Sequence, residues 1–216
     1  MWKISSLNAD SGWNPTLEAL FEPTNPRPIY HKPDIQIRKR CNRRFIVFGT
    51  GDEQNPTDSD SQDYFYEVED RPLTGEETSL DRLMWKETFP QGEKMLSDPV
   101  IYLGVVYFTT YQPQGYCGAG KSYFYGLKVS TCTAIGGGAG IRYGLEEDEE
   151  TGELRDVEFS NRQKKIDLGA GIATSVVIGP PRAYLQKPTG TGEGLGPPMS
   201  FKVPTVSKLI YWKEEF

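Results

Sequence analysis

The tripeptide Tyr64-Phe65-Tyr66 occurs again as Tyr123-Phe124-Tyr125, and this repeat decides the fold class of the chain. Two short apolar stretches precede each copy: Ile35-Gln36-Ile37 and Phe45-Ile46-Val47-Phe48 before the first, Val100-Ile101-Tyr102 and Val105-Val106-Tyr107-Phe108 before the second. Short runs of aromatic and β-branched residues indicate strands. The repeated unit is therefore a set of short strands joined by turns.

A third, fainter copy follows, in which residues 174–178 turn through Gly179-Pro180-Pro181 into residues 183–185 without a Tyr-Phe-Tyr. A repeat of roughly 60 residues that holds about four short strands is typical of a β-propeller blade with loop insertions. We therefore predict an all-β fold with long Gly/Pro-rich and acidic loops, in which 1–216 is a single partial propeller. Its roughly three propeller-like blades of short antiparallel strands cover 29–86, 87–135 and 156–216, and 1–28 is a strand plus linker from a preceding blade.

Composition narrows the class of protein. With 216 residues, one architecture is the default, and 23 glycines and 16 prolines indicate many loops. The net charge of −6 gives no general reason to bind nucleic acid or anionic lipid. No apolar run approaches the roughly 20 residues needed to span a bilayer. The amino terminus has no apolar signal-peptide core, so the chain is either cytosolic or a piece of something longer.

The segment Gly115-Tyr116-Cys117-Gly118-Ala119-Gly120-Lys121-Ser122 matches the P-loop pattern G-x-x-x-x-G-K-S. A P-loop needs a helix N-terminus directly after the lysine, where backbone N–H groups and the helix dipole meet the phosphates. Here the second Tyr-Phe-Tyr strand follows instead. We therefore interpret the segment as a Gly-rich loop and keep a P-loop nucleotide-binding protein as a disfavoured alternative.

Five basic residues lie between the first two strands, in Arg38-Lys39-Arg40-Cys41-Asn42-Arg43-Arg44. A solvated hairpin tip explains this run, and an anion-binding patch is the alternative. The only histidine, His31, has no partner evident from the sequence. Tryptophans at the ends of elements are best explained by packing. We predict no catalytic residue and a protein that is not an enzyme.

The acidic loop after the second strand is a candidate calcium site. Asp58-Ser59-Asp60-Ser61-Gln62 places oxygen ligands at positions one, three and five of a calcium loop, and Glu69 falls at position twelve. Asp63 stands where the turn requires glycine, which argues against an EF-hand. A looser Ca²⁺ site, the only cofactor considered, is the alternative to a solvated loop, and its ligands would be Asp52, Asp58, Asp60 and Asp63.

Three cysteines are too few for a disulfide scaffold and have no zinc-ligand spacing. Cys117 and Cys132 flank one predicted strand, and a neighbouring hairpin can bring such positions together. A Cys117–Cys132 disulfide is therefore plausible. Cys41 would then be a thiol or would pair with a cysteine outside this chain.

Several motifs together resemble the carboxy-terminal propeller domain of type IV pilus-tip proteins of the PilY and PilC type. They are Phe45-Ile46-Val47-Phe48-Gly49-Thr50-Gly51, the Tyr-Phe-Tyr strand ending in Asp70, Asp98-Pro99-Val100, Val106-Tyr107-Phe108-Thr109-Thr110-Tyr111, Cys117-Gly118-Ala119-Gly120 and Tyr211-Trp212-Lys213-Glu214. The resemblance covers most of the chain. Each motif alone is loose, whereas their order and spacing are more specific.

The resemblance implies a non-enzymatic structural or adhesive component of a type IV pilus or pilus-tip complex. It implies an extracytoplasmic location, in the periplasm, at the cell surface or at the pilus tip of a Gram-negative bacterium, with pilins as partners. That family has about seven blades and a calcium site, whereas this chain holds about three blades and lacks the D-x-D-x-D-G loop. Exposed sheet faces at both ends need covering, so we expect the remaining propeller segment or a companion pilus-tip chain to complete the fold. A fragment of a quinoprotein-dehydrogenase-like propeller is the alternative.

Overall fold

The structure, a computed structural model, describes residues 1–5, 16–115, 118–134, 143–147, 154–158, 164–179, 182–188 and 195–202. These residues form antiparallel strands and one short 3-10 helix, Ser79–Arg82, so the predicted all-β fold is confirmed. In the described ranges, no helix is long and apolar enough to cross a membrane.

The first sheet is a four-stranded antiparallel meander, preceded by a hairpin of β1 (Trp2–Ser5) and β2 (Thr16–Ala19). Its strands follow chain order: β3 (Asp34–Arg38), β4 (Arg43–Gly49), β5 (Tyr64–Glu69) and β6 (Leu83–Thr88). This sheet corresponds to the first predicted blade.

The second sheet has the strand order β13-β10-β9. Two short strands, β7 and β8, pair with the other edge of β9, each with a different part of that strand. The strands are β7 (Lys94–Met95), β8 (Val100–Tyr102), β9 (Val105–Gln112), β10 (Lys121–Lys128) and β13 (Lys165–Ala170). A separate hairpin of β11 (Tyr143–Glu147) and β12 (Leu154–Glu158) lies between β10 and β13 in the chain. The outermost strand thus comes from sequence that we had assigned to the third unit.

The third sheet has three described strands, β14 (Val177–Gly179), β15 (Arg182–Pro188) and β16 (Leu195–Lys202), in the order β14-β15-β16. The last strand expected from the sequence, residues 208–213, lies outside the described residues. In the described part of the chain the three sheets form an open stack, with apolar clusters between successive sheets.

The two Tyr-Phe-Tyr copies occupy equivalent strands, β5 and β10, and point their side chains the same way. Phe65 packs between the first and second sheets, and Phe124 packs between the second and third. The flanking tyrosines face the preceding layer in both copies, because successive side chains of a strand alternate. The tripeptide is therefore a structural repeat, in which phenylalanine faces the following layer.

A ladder of aromatic rings joins the first two sheets. The rings of Phe65 and Phe108 stack with centroids 4.1 Å apart and planes 2° apart, and Phe108 stacks in turn on Tyr125 at 4.9 Å. Trp85 also stacks on Phe65, with ring centroids 5.8 Å apart. Phe65, Phe108 and Tyr125 are all buried, and they lie in the apolar core between the first and second sheets.

Candidate functional site

The acidic loop between β4 and β5 folds over a buried lysine. Lys94, on β7, is fully buried, and its Nζ donates to the backbone carbonyls of Asn55 at 3.1 Å and Asp58 at 2.8 Å. Burial lowers the pKa of Lys94, and the nearby carboxylates of Asp58, Asp63 and Asp52 oppose that shift. The centre of the loop therefore already contains a cationic side chain.

Two glycines allow the backbones of the loop and of β7 to approach this closely. A Cβ on Gly51 would lie 2.5 Å from the carbonyl oxygen of Met95, and a Cβ on Gly92 would lie 2.8 Å from that of Ser59. Gly92 also has φ +77°, which favours glycine. Because neither residue has a side chain, β7 and the residues before it can pack directly against the acidic loop.

Asp63, the last residue of the loop, is fully buried and makes contacts within the protein. Its Oδ1 accepts a hydrogen bond from Thr50 Oγ1 at 2.9 Å and from Arg27 Nε at 3.2 Å. Its Oδ2 is buried without a hydrogen-bond partner. One oxygen of this carboxylate is therefore committed to Arg27 and Thr50.

Two of the other predicted calcium ligands are engaged in hydrogen bonds within the loop. Asp52 accepts the backbone N–H of Gln54, and Asp58 accepts that of Asp60, so both carboxylates stabilise local turns. Across the described ranges, no three His, Cys, Asp or Glu side chains are grouped so that they could hold a metal ion. The residues present do not fit the calcium site that the sequence suggested.

Another buried charge lies directly before β7. Glu93 is fully buried and accepts hydrogen bonds from Thr110 Oγ1 at 2.7 Å, Tyr125 Oη at 2.6 Å and Lys165 Nζ at 2.6 Å. The Lys165 ammonium also lies 3.9 Å from the centre of the Tyr123 ring. Burial and the Glu93 carboxylate raise the pKa of Tyr125. This network fixes β13 and β10 against the segment before β7.

The hairpin tip between β3 and β4 carries a disulfide that differs from the predicted one. Cys41 is bonded to Cys132, with Cα atoms 5.8 Å apart. The predicted Cys117–Cys132 pairing is therefore wrong, because the single sulfur of Cys132 is already used; Cys117 itself lies outside the described residues. The chain after β10 turns beside the hairpin tip, where Arg43 donates to the carbonyls of Thr131 and Cys132.

Two of the five basic residues at this tip are paired with carboxylates. Arg43 donates to both carboxylate oxygens of Glu69, at 2.6 and 2.8 Å, and Arg44 pairs with Asp70 at 2.9 Å. The hydrogen bond to Glu69 raises the pKa of Arg43. Lys39 and Arg40 are exposed. Ion pairs of Arg43 and Arg44 therefore hold the base of this tip, and Lys39 and Arg40 lie in solvent.

The P-loop-like segment leads into a strand. β10 begins at Lys121, whose Nζ lies 3.2 Å from Asp167 Oδ2, and Ser122 Oγ donates to the Gly171 carbonyl at 2.6 Å. The lysine and the serine are therefore engaged within the second sheet, and no helix N-terminus follows them. Tyr116 and Cys117 of this segment lie outside the described residues.

His31 lies between two carboxylates that are distant in sequence. Its Nδ1 is 3.3 Å from Asp98 Oδ1, and its Nε2 is 3.5 Å from Glu53 Oε1. These contacts link the segment before β3 to the acidic loop and to the segment before β8. Sequence spacing does not indicate these contacts, because each partner comes from a different loop.

The outer face of the first sheet is only partly covered. Ile46, paired with Ile35 across the β3–β4 ladder, packs with Phe48, Leu20 and Phe21 in a buried cluster. Ile35 and Ile37 lie at the uncovered end of this face and are 52% and 62% exposed. Side chains on the opposite face of β4, such as Phe45, are completely buried against the second sheet.

Two apolar side chains on the far face of the third sheet are exposed. Val177 and Tyr184 face each other across the β14–β15 ladder and are 65% and 42% exposed. Their strand neighbours Val176, Ile178 and Leu185 point the other way, into the cluster shared with the second sheet. Both ends of the described stack therefore present apolar side chains.

Comparisons with known proteins gave one structural match. No protein-family model and no curated protein matches the chain. The crystal structure of the Pseudomonas aeruginosa PilY1 C-terminal domain matches with 12% sequence identity and a TM-score of 0.49. The match covers 86% of this chain and 47% of that one, so the chain spans about half the length of the solved domain. A similarity of this size does not establish a common fold or function.

Proposed function

We propose that this chain is a non-enzymatic structural component of a type IV pilus-tip assembly, and that a further segment or companion chain continues its stack of sheets. The order and spacing of its motifs, which resemble those of pilus-tip propeller domains, support the pilus assignment. The Cys41–Cys132 disulfide supports a location outside the cytoplasm, because structural disulfides are rare in reducing compartments.

The observation that carries the proposal is the uncovered part of β3. Ile35 and Ile37 lie at the end of an apolar face whose remainder is buried under the amino-terminal segment. A neighbouring sheet would extend that covering in the same way as the second sheet covers the opposite face. The partner is therefore expected to present an apolar sheet face, and pilins would contact the completed assembly.

Deletion of the gene in the native bacterium tests this function. We expect the deletion to reduce surface pilin in sheared fractions and pilus-dependent surface motility, and the wild-type gene to restore both. Unchanged piliation and motility would contradict the pilus role.

Complementation with matched variants tests the surface. Ile35→Ser with Ile37→Ser should fail to restore piliation although the protein is folded and exported, because the docking face is lost. Leu80→Ser changes an apolar residue of similar exposure, 41%, in the 3-10 helix and should complement fully. A photo-crosslinking residue at position 37 should trap the partner in cells. Equal complementation by both variants, with no crosslinked product, would contradict the docking role of β3.

A further inference from the structure

We propose that the ammonium group of Lys94 takes the place of a metal ion in the acidic loop, so that the loop is ordered without calcium. The geometry of the loop supports this independently of any role at a pilus. The sequence pattern suggests a loop that folds around a cation. The structure supplies that cation from β7, through a side chain that is fully buried.

The ligands of Lys94 are of the type that calcium uses. Ca²⁺ in proteins is bound by carboxylates and backbone carbonyls. Two carbonyls of this loop, those of Asn55 and Asp58, instead accept hydrogen bonds from Lys94 Nζ. An ammonium has three donors, so a third remains for the carboxylate side of the loop.

Charge balance points the same way. Asp52, Asp58 and Asp63 all act electrostatically on Lys94, and Arg27 pairs with Asp63. Two internal cations thus face three carboxylates. A buried carboxylate such as that of Asp63 is costly unless a positive group compensates it. A divalent ion entering the loop would have to displace Lys94 from a fully buried position or accept repulsion from it.

The wild-type protein gives the first test. We expect the midpoint of thermal unfolding of the full chain to be the same, within about 1 °C, in millimolar CaCl₂ and in EDTA, since a ligand shifts the midpoint only if it binds the folded state. Isothermal titration with CaCl₂ should show no binding below millimolar concentration. A calcium-dependent rise of the midpoint by several degrees would overturn the proposal.

Lys94→Met gives the second test, because methionine keeps much of the stem and removes the charge. We expect the midpoint to fall by on the order of 10 °C, because the variant removes both hydrogen bonds to the loop carbonyls and the buried charge that offsets the nearby carboxylates. Lys128→Met, at an exposed lysine on β10, is the matched control and should change the midpoint by no more than about 2 °C.

Amide hydrogen exchange separates this role from general packing. In Lys94→Met, exchange should accelerate in peptides covering 52–63 and stay unchanged in those covering β9 and β10. If Lys94→Met leaves exchange in the loop unchanged, the ammonium does not order it and the proposal fails. If this variant does not fold, the calcium experiments on the wild-type protein decide the proposal alone.

Discussion

The two faces of the first sheet differ in how far they are covered, although the same strands build both. Towards the second sheet, Phe45, Val47 and Phe65 are buried in the main core. Away from it, the amino-terminal segment covers Ile46 and Phe48 but leaves Ile35 and Ile37 more than half exposed. The comparison distinguishes side chains that stabilise this chain from side chains that are free to contact a partner. The alternation of apolar residues along a strand does not make this distinction, because both kinds of residue are apolar.

The largest expected effect is on the covered face. Phe108→Ala removes a ring that stacks on Phe65 and Tyr125. We expect it to lower the free energy of unfolding by about 3–5 kcal/mol, because it leaves a cavity in a closed core. Urea denaturation followed by tryptophan fluorescence measures the change. A loss of under about 1 kcal/mol would show that this interface is loosely packed.

The disulfide links the first and second sheets at the edge of the same interface. Its removal should cause the next largest loss of stability. Cys41→Ser with Cys132→Ser is expected to cost about 2–4 kcal/mol, because the crosslink closes a long loop in the unfolded chain. Denaturation under non-reducing conditions measures the loss. Peptide mapping of the wild type should recover Cys41 joined to Cys132, and a Cys117–Cys132 peptide would contradict the structure.

Lys165 tests the polar part of the covered face. Lys165→Met leaves the buried Glu93 carboxylate without its ion-pair partner and should cost about 2 kcal/mol. Lys164→Met is the neighbouring control, since its pair with Glu87 is more exposed and should contribute no more than about 0.5 kcal/mol. Equal losses in the two variants would mean that Glu93 is solvated in solution.

The uncovered face should show the smallest effect on stability. Ile35→Ser with Ile37→Ser is expected to change the free energy of unfolding by no more than about 1 kcal/mol, since exposed side chains contribute little. Chemical denaturation of the isolated chain measures this. A loss comparable to that of Phe108→Ala would show that the face is already covered within this chain, and the comparison between the two faces would fail.

Local pattern predicted much of the fold. Both Tyr-Phe-Tyr strands, the β3–β4 hairpin and the β8–β9 hairpin follow from short apolar runs and turns, whose information lies within a few residues. The assignment of β13 to the second sheet could not be obtained in this way. It depends on pairing with β10 across an inserted hairpin, and the sequence of β13 does not specify which sheet it joins.

The charged groups were predicted less well, for the same reason. Asp63 was predicted as a calcium ligand, but its hydrogen-bond partners, Arg27 and Thr50, come from other parts of the chain. Lys94 does not belong to any sequence motif that indicates a binding site. A lysine in a two-residue strand looks like a surface residue, and only the approach of the acidic loop buries it. The disulfide was missed because sheet packing, not sequence spacing, brings Cys41 beside Cys132.

The Cys41–Cys132 bond joins two of the three cysteines in this sequence and skips Cys117, which lies between them. When the chain enters an oxidising compartment from its amino terminus, Cys117 is available to Cys41 before Cys132 has arrived. A bond formed at that stage must be exchanged through a mixed disulfide before the native pair exists. Under the proposed location outside the cytoplasm, we therefore expect formation of the native bond to depend on a disulfide isomerase as well as an oxidase, and replacement of Cys117 by serine to remove that dependence.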